Sequence, residues 1–245
     1  MQSNKILIAS DRMQVLPLDK SADYSFTDQE HPTRISILAD TSSELSKDAT
    51  HFAIVHSGSF LASIGECRYE LKAGCFASVA GAFRLQGNGR ALVLSALRYR
   101  GVNLIGGPVE ANGRLRYIDG CTSSILIAPP IRGEPCLNFL HLPSHTSQTL
   151  HTHPTLRAGL IFSGNGKCET RHGMLNFAAG TVFLIPPHIE HSFQSYGESM
   201  RIVIYHPDSD SGPTHEDHTM LNRTFVNRQS ARQMTDLHTR KEAQN

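Results

Sequence analysis

The sequence predicts an all-β chain: two jelly-roll barrels (double-stranded β-helices) in tandem, followed by a polar tail. Three observations carry this reading. Short apolar segments alternate with Gly, Asp, Ser and Asn turns from Val15 to Tyr99, the spacing of a β sandwich or barrel. Long helical periodicity is absent until the tail. The two halves also superpose, since Gly58 to Gly74 and Gly164 to Gly180 are both sixteen residues apart, and one shift of 106 residues (164 − 58) lays each pair on the other. The same shift places Tyr99 on Tyr205. Self-similarity at a fixed interval is the mark of a repeated structural unit.

Taken in order, residues 1–12 read as an N-terminal arm, polar apart from Ile6-Leu7-Ile8-Ala9. Residues 13–100 form the first barrel, with strands expected at 34–39, 52–55, 59–62, 74–79 and 91–97, each an apolar run bounded by turn residues. Residues 101–116, with Gly106-Gly107-Pro108 and Asn112-Gly113, read as the connection between barrels. Residues 117–208 form the second barrel, opening on runs at 123–130 and 136–142. It continues through a hairpin-like turn over 159–166 and an apolar strand at 179–187 that ends in a rigid Pro-Pro bend. Residues 209–245 are a polar tail of mixed charge, with a short helix over 229–239.

Composition narrows the function. The 23 basic and 22 acidic residues nearly cancel, so the chain offers no electrostatic footprint for nucleic acid or an anionic membrane. A small molecule is the expected partner. The five cysteines are scattered, odd in number and without a Cys-x-x-Cys, which fits buried free thiols better than a disulfide framework or zinc knuckle. The apolar run near the N-terminus is too short for a signal or membrane segment. A cytoplasmic protein is expected, and a homodimer is a further expectation.

The fourteen histidines cluster late in the chain. His151 and His153 are two apart, and in a strand such residues share a face, so both can reach one ion. His191, beyond the Pro-Pro bend, completes a facial set. Three neutral imidazoles leave an ion its full charge and open positions, as in catalytic rather than closed structural sites. They suit iron, zinc, copper and nickel alike.

These residues resemble the motifs of the cupin superfamily. Its first motif, His-x-His and later a Gly-x-Gly turn, is matched by His151, His153 and Gly164-Asn165-Gly166; its second by Gly180, Pro186 and His191. Three motif positions differ: the glutamate falls on Arg157, the glycine after proline on His188, and the asparagine after the last histidine on Ser195. The resemblance implies one divalent metal, Fe(II) or Zn(II), on His151, His153 and His191. The shift of 106 maps these onto Leu45, Lys47 and Leu85, so the first barrel is expected to be metal-free. His51, which maps onto Arg157, is expected to be a surface or internally satisfied histidine.

Arg157 and Glu190 are the candidate catalytic residues. Counting alternately from His151, Arg157 reaches the same face if Pro154 leaves the register intact. It then clamps a substrate carboxylate, or else it faces outward and pairs with Glu169 or Glu190. Glu190 orients an imidazole or acts as a base, or is a solvated rim carboxylate.

The leading expectation is a metal-dependent enzyme acting on a small, anionic, amino-acid-derived substrate by non-heme iron oxygenation, as three-histidine cupin dioxygenases do. A second resemblance points to zinc chemistry. Tyr117-Ile118-Asp119-Gly120-Cys121, Cys136-Leu137-Asn138 and His151-Thr152-His153-Pro154 are similar to the zinc-binding cupin of hydrazine synthetases, which implies a rearrangement forming an N–N bond and a separate synthetase-like partner enzyme. A non-catalytic cupin that binds a small ligand is the alternative from another class.

Overall fold

Several central segments are apolar at consecutive positions rather than at alternate ones, the pattern of strands covered on both faces. The computed structural model describes residues 5–7 and 11–239, so the expected arm over 1–12 lies mostly outside the described residues. The first half comprises β1 (Lys5–Leu7), β2 (Gln14–Pro17), β3 (Ala22–Phe26), β4 (Thr33–Ala39), β5 (Ser42–Leu45), β6 (Ala49–Ile64), β7 (Cys67–Lys72), β8 (Phe76–Ala80), β9 (Phe83–Leu97) and β10 (Leu104–Gly106). The second comprises β11 (Leu115–Arg116), β12 (Thr122–Ile127), β13 (Cys136–Leu142), β14 (Arg157–Ser163), β15 (Asn165–Thr170), β16 (Gly173–Ala178), β17 (Thr181–Ile185), β18 (His191–Ser195) and β19 (Met200–His206). Among its described residues the C-terminal segment holds α1 (Thr219–Asn222), the small ladder β20 (Phe225–Val226) with β21 (Gln229–Ser230), and two 3-10 turns where a helix was expected. No helix among the described residues is long and apolar enough to cross a membrane.

The halves repeat one topology. In the first, the order β1-β3-β4-β9-β6-β8-β10 forms one bent sheet, with β5 on β9 and β7 on β6. In the second, the same path splits into a seven-stranded sheet, β11-β12-β13-β19-β14-β17-β2, and a three-stranded sheet, β16-β15-β18. Neither hydrogen-bond ladder closes on itself, so the expected barrels are open, two-layered units. The turn expected over 159–166 is not a hairpin. Gly164, at φ 85°, bends the chain from β14 in one layer to β15 in the other. Its repeat partner Gly58, at φ 74°, does the same inside the continuous β6. A Cβ at Gly58 would lie 2.0 Å from Asn88 O, and one at Gly164 2.2 Å from Ser199 O, so both positions require a residue without one.

Alternation then sorts the side chains into three cores. On β6 and β9, Phe52, Ile54, Leu92 and Leu94 face the second half, while Ala53, Val55, Ala91 and Val93 fill the first. On β17 and β19, Val182, Leu184, Val203 and Tyr205 face the first half, while Phe183, Ile185, Ile202 and Ile204 fill the second. The halves are thus joined back to back by a continuous apolar layer. Each such side chain, once buried, stabilises by about 1.5–3 kcal/mol. Leu45 and Leu85, at the positions equivalent to His151 and His191, are buried in the first half's own core.

The halves also exchange strands. β2, which leads into the first half, pairs antiparallel with β17 of the second. β10, which leads into the second half, pairs with β8 of the first. The hydrogen bonds repeat too: Leu18 N–H donates to Gly180 O (3.1 Å) and Val109 N–H to Gly74 O (2.9 Å). The segment expected to open the first barrel therefore lies in the second sheet, and the expected linker carries a strand of the first. An uncovered edge strand presents a row of unpaired backbone groups, and each leading segment covers the edge its neighbour would otherwise expose.

Candidate metal centre

His151 and His153 lie in the segment between β13 and β14, and the expected regular strand through them is absent. Instead His151 and His191 form an isolated antiparallel bridge, with N–H to O distances of 3.0 and 2.9 Å in the two directions. His188 N–H adds a bond to His153 O at 2.8 Å. This backbone zipper brings residues forty apart (191 − 151) side by side. Their ring centroids stand 4.6 Å (His151–His191), 5.1 Å (His151–His153) and 5.2 Å (His153–His191) apart. One ligating atom from each lies within 4.8 Å of the other two.

Backbone carbonyls fix which atoms those are in His151 and His191. His151 Nδ1 is 2.8 Å from Thr149 O, and His191 Nδ1 is 2.9 Å from Ile189 O. A carbonyl only accepts, so each Nδ1 carries the hydrogen and each Nε2 keeps its lone pair. Behind His151 stands a further support: the Asp119 carboxylate accepts from Thr149 N at 2.6 Å and from its hydroxyl at 3.2 Å. Burial, and then the Arg157 charge, push His153 down to about 3; burial chiefly pushes His191 down to about 4. Neutral imidazoles are the form that binds a cation.

The three rings line a cavity of about 420 Å³. Phe139, Phe183, Ile185, Phe193 and Ile204 supply apolar walls. Arg157 opens on the same cavity and is 8% exposed; it begins β14, and the loop before it, not strand alternation from His151, puts it there. It does not face outward, and its carboxylate partner is neither Glu169 nor Glu190 but Asp208, at 3.6 Å from Nη1. Arg157 Nε is buried without a hydrogen-bond partner among the described residues, an expensive condition for a charged donor. His206 lines the cavity too, its ring centroid 6.4 Å from that of His153, with Asn138 Nδ2 at 3.3 Å from its nitrogens. Burial holds His206 well below the usual histidine range.

Glu190 is exposed and is not among the residues lining the cavity, so its position gives no support to a base or to an orienting group. His188 is exposed at φ 61°, the left-handed conformation for which the motif keeps a glycine. Ser195 replaces the motif asparagine as a brace: its hydroxyl donates to Pro143 O (2.5 Å) and accepts from Thr146 N (3.0 Å). His51 is buried and satisfied by Ser95 Oγ (2.7 Å) and Ser46 O (2.8 Å).

Sequence reasoning missed Asp208 and the run Ser209-Asp210-Ser211, all of which line the cavity although they read as the polar end of the domain. It also missed Asn138 and His206. The available signal was parity: His206 is opposite Cys136 at the end of the β13–β19 ladder.

Residues 133–212 match the family model described as the AraC-like ligand binding domain. No curated protein matches by sequence. Among solved structures, the chain is similar to a cupin 2 conserved barrel domain protein from Leptotrichia buccalis, with TM-score 0.57 and 14% identity, covering 76% of this chain and 88% of that one. It is similar to a putative glyoxylate-induced protein from Pseudomonas aeruginosa, with TM-score 0.60 and 14% identity over 83% and 82% of the two chains. It is also similar to salicylate 1,2-dioxygenase from Pseudoaminobacter salicylatoxidans in adducts with gentisate, with TM-score 0.56 and 10% identity over 73% and 68%. At these identities the likeness shows the fold alone: two tandem units of cupin architecture.

Proposed function

We propose that the chain is a metal-dependent cupin enzyme that holds one divalent transition metal on His151, His153 and His191 and acts on a small carboxylate, the leading reaction being oxygenation at non-heme iron. The observation that carries the reading is the cluster itself: three imidazoles within 4.8 Å, two with Nδ1 tied to carbonyls so that Nε2 is free to ligate. Iron bound there supplies redox chemistry toward dioxygen, and zinc supplies Lewis acidity alone. The chain's own residues do the rest. Arg157 binds the substrate carboxylate, which also offsets the repulsion between guanidinium and ion, a few kcal/mol at short range with an effective dielectric of about 20. The phenylalanine and isoleucine walls exclude water and receive an apolar body. Asp210 lines the same cavity with no hydrogen bond or ion pair among the described residues, so an ammonium group also finds a partner, and an amino-acid-derived substrate fits. The likeness to salicylate 1,2-dioxygenase supports the oxygenase class.

The match to the AraC-like ligand binding domain favours one other reading, a non-catalytic ligand-binding cupin. Elemental analysis of protein purified without added metal, beside a variant with His151 and His153 changed to alanine, tests the metal. The wild type should carry one ion per chain and the variant none. Iron, with oxygen uptake on a panel of aromatic and amino-acid carboxylates, supports the oxygenase; zinc without oxygen uptake moves the assignment to zinc-dependent rearrangement. Ligand stabilisation without any product identifies the binding protein, and a wild type that takes up no metal refutes the proposal.

A further inference from the structure

We propose that Thr155 and Asp208 are positioning residues, which together hold the Arg157 guanidinium so that one edge stays available to a ligand carboxylate. The inference rests on Arg157 as the anion-binding group of the proposed function and deepens that reading. Arg157 Nη1 donates to Thr155 Oγ1 at 2.6 Å and to Leu156 O at 3.0 Å, and stands 3.6 Å from Asp208 Oδ1. Thr155 Oγ1 in turn donates to Asp208 Oδ1 at 2.5 Å. A hydroxyl has one hydrogen and two lone pairs. Given to the carboxylate, that hydrogen leaves the oxygen as an acceptor, so the direction Arg157 to Thr155 to Asp208 is set.

All these contacts fall on Nη1. The guanidinium is a rigid plane, so fixing one nitrogen fixes the whole fork. The opposite edge carries Nε, the buried donor without a partner among the described residues. That edge has the spacing to take a carboxylate through two parallel bonds. The Thr155–Asp208 pair also answers an electrostatic difficulty. An arginine beside three imidazoles built to hold a cation would swing away from it, and the ion pair with Asp208 at 3.6 Å opposes that movement. Asp208 is itself anchored, because the loop that follows it is tied to the 131–133 turn by Gly133 N to Ser209 O (2.7 Å) and Arg132 N to Pro213 O (3.0 Å).

The test is isothermal titration of the metal-loaded full chain with benzoate and 3-phenylpropanoate, with benzamide as the uncharged control. Thr155→Val keeps the shape and removes the hydroxyl, and Thr155→Ser keeps the hydroxyl. Thr155→Val and Asp208→Asn should each weaken carboxylate binding about tenfold, the worth of one charge-assisted hydrogen bond. Thr155→Ser should stay within about twofold of wild type, since the donor is retained. In an Arg157→Met background neither change should matter further, the non-additivity of groups that act through one another. Metal content should be constant throughout. Thr155→Val binding carboxylate as wild type does, or weakening it equally without Arg157, overturns the positioning role and leaves the anion site standing. A wild type that prefers neither carboxylate over benzamide overturns the anion site and the positioning role together.

Discussion

Replacing Leu18 with alanine tests the strand exchange. Leu18 follows β2, is 3% exposed, and lies in the core shared by both halves, where its N–H bonds to Gly180 O at 3.1 Å. Removing such a side chain costs about 2–5 kcal/mol, the lost transfer energy plus the cavity left behind. At roughly 2–4 °C per kcal/mol for a chain of this size, Tm falls by about 4–20 °C. Met13 precedes β2 and is 8% exposed in the other half's interior, beside Phe183 and Ile185. Its loss carries a similar cost, so the two side chains together account for about 4–10 kcal/mol of a total near 5–15. A fragment starting at residue 101 contains all three histidines but neither of these side chains nor β2, and it should not fold alone. A peptide of residues 11–20 in excess should rescue it by mass action. The chain has no tryptophan, so far-UV circular dichroism follows unfolding and metal content follows the site. The reasoning fails if Leu18→Ala melts within about 1 °C of wild type, or if the isolated fragment folds cooperatively unaided.

Two further expectations concern the second half. Gly159→Ala should destabilise by about 1–3 kcal/mol in urea, because its Cβ would lie 2.5 Å from Val203 O and 2.7 Å from the Phe183 ring. An alanine variant of wild-type stability would show that β14 and β19 can part there. In metal-free protein, stability should also depend on acid. His153 titrates at about 3 and His191 at about 4 in the fold, against about 6.5 in the open chain. Both folded values are depressed, so their contribution is complete above about 6.5 and is lost as pH falls toward about 4 and then 3. His191 alone accounts for about 3 kcal/mol over its interval. Urea midpoints at about pH 7.5 and 5 should differ; equal midpoints would refute the linkage.

The sequence made some of this legible and hid the rest for physical reasons. His151, His153 and His191 were readable because ligand geometry constrains residue type and spacing together, although the pair proved to sit in a bridged loop rather than a strand. The tandem repeat was readable from glycines, and Gly58, Gly74, Gly164 and Gly180 all adopt positive φ. Periodicity left Arg157 open between the cavity and the surface, because no strand runs through the histidine pair. It could not place β2 or β10, because four residues such as Gln14–Pro17 state that they are a strand without stating which edge they cover. Nor could it recognise Asp208 to Ser211, whose composition reads as a solvated terminus. Wall residues contributed by a returning loop leave no local pattern, since their role depends on where the fold sends them.

That loop has a consequence for how such a molecule can change. The shared architecture ends with β19, and the repeat's first copy has filled its interior with leucine. Asp208 and the residues after it lie outside the duplicated portion, yet they face the chamber. Part of the chamber's polar lining is therefore written apart from the strands, and substitutions in a few polar codons can change that lining while every strand keeps its neighbours.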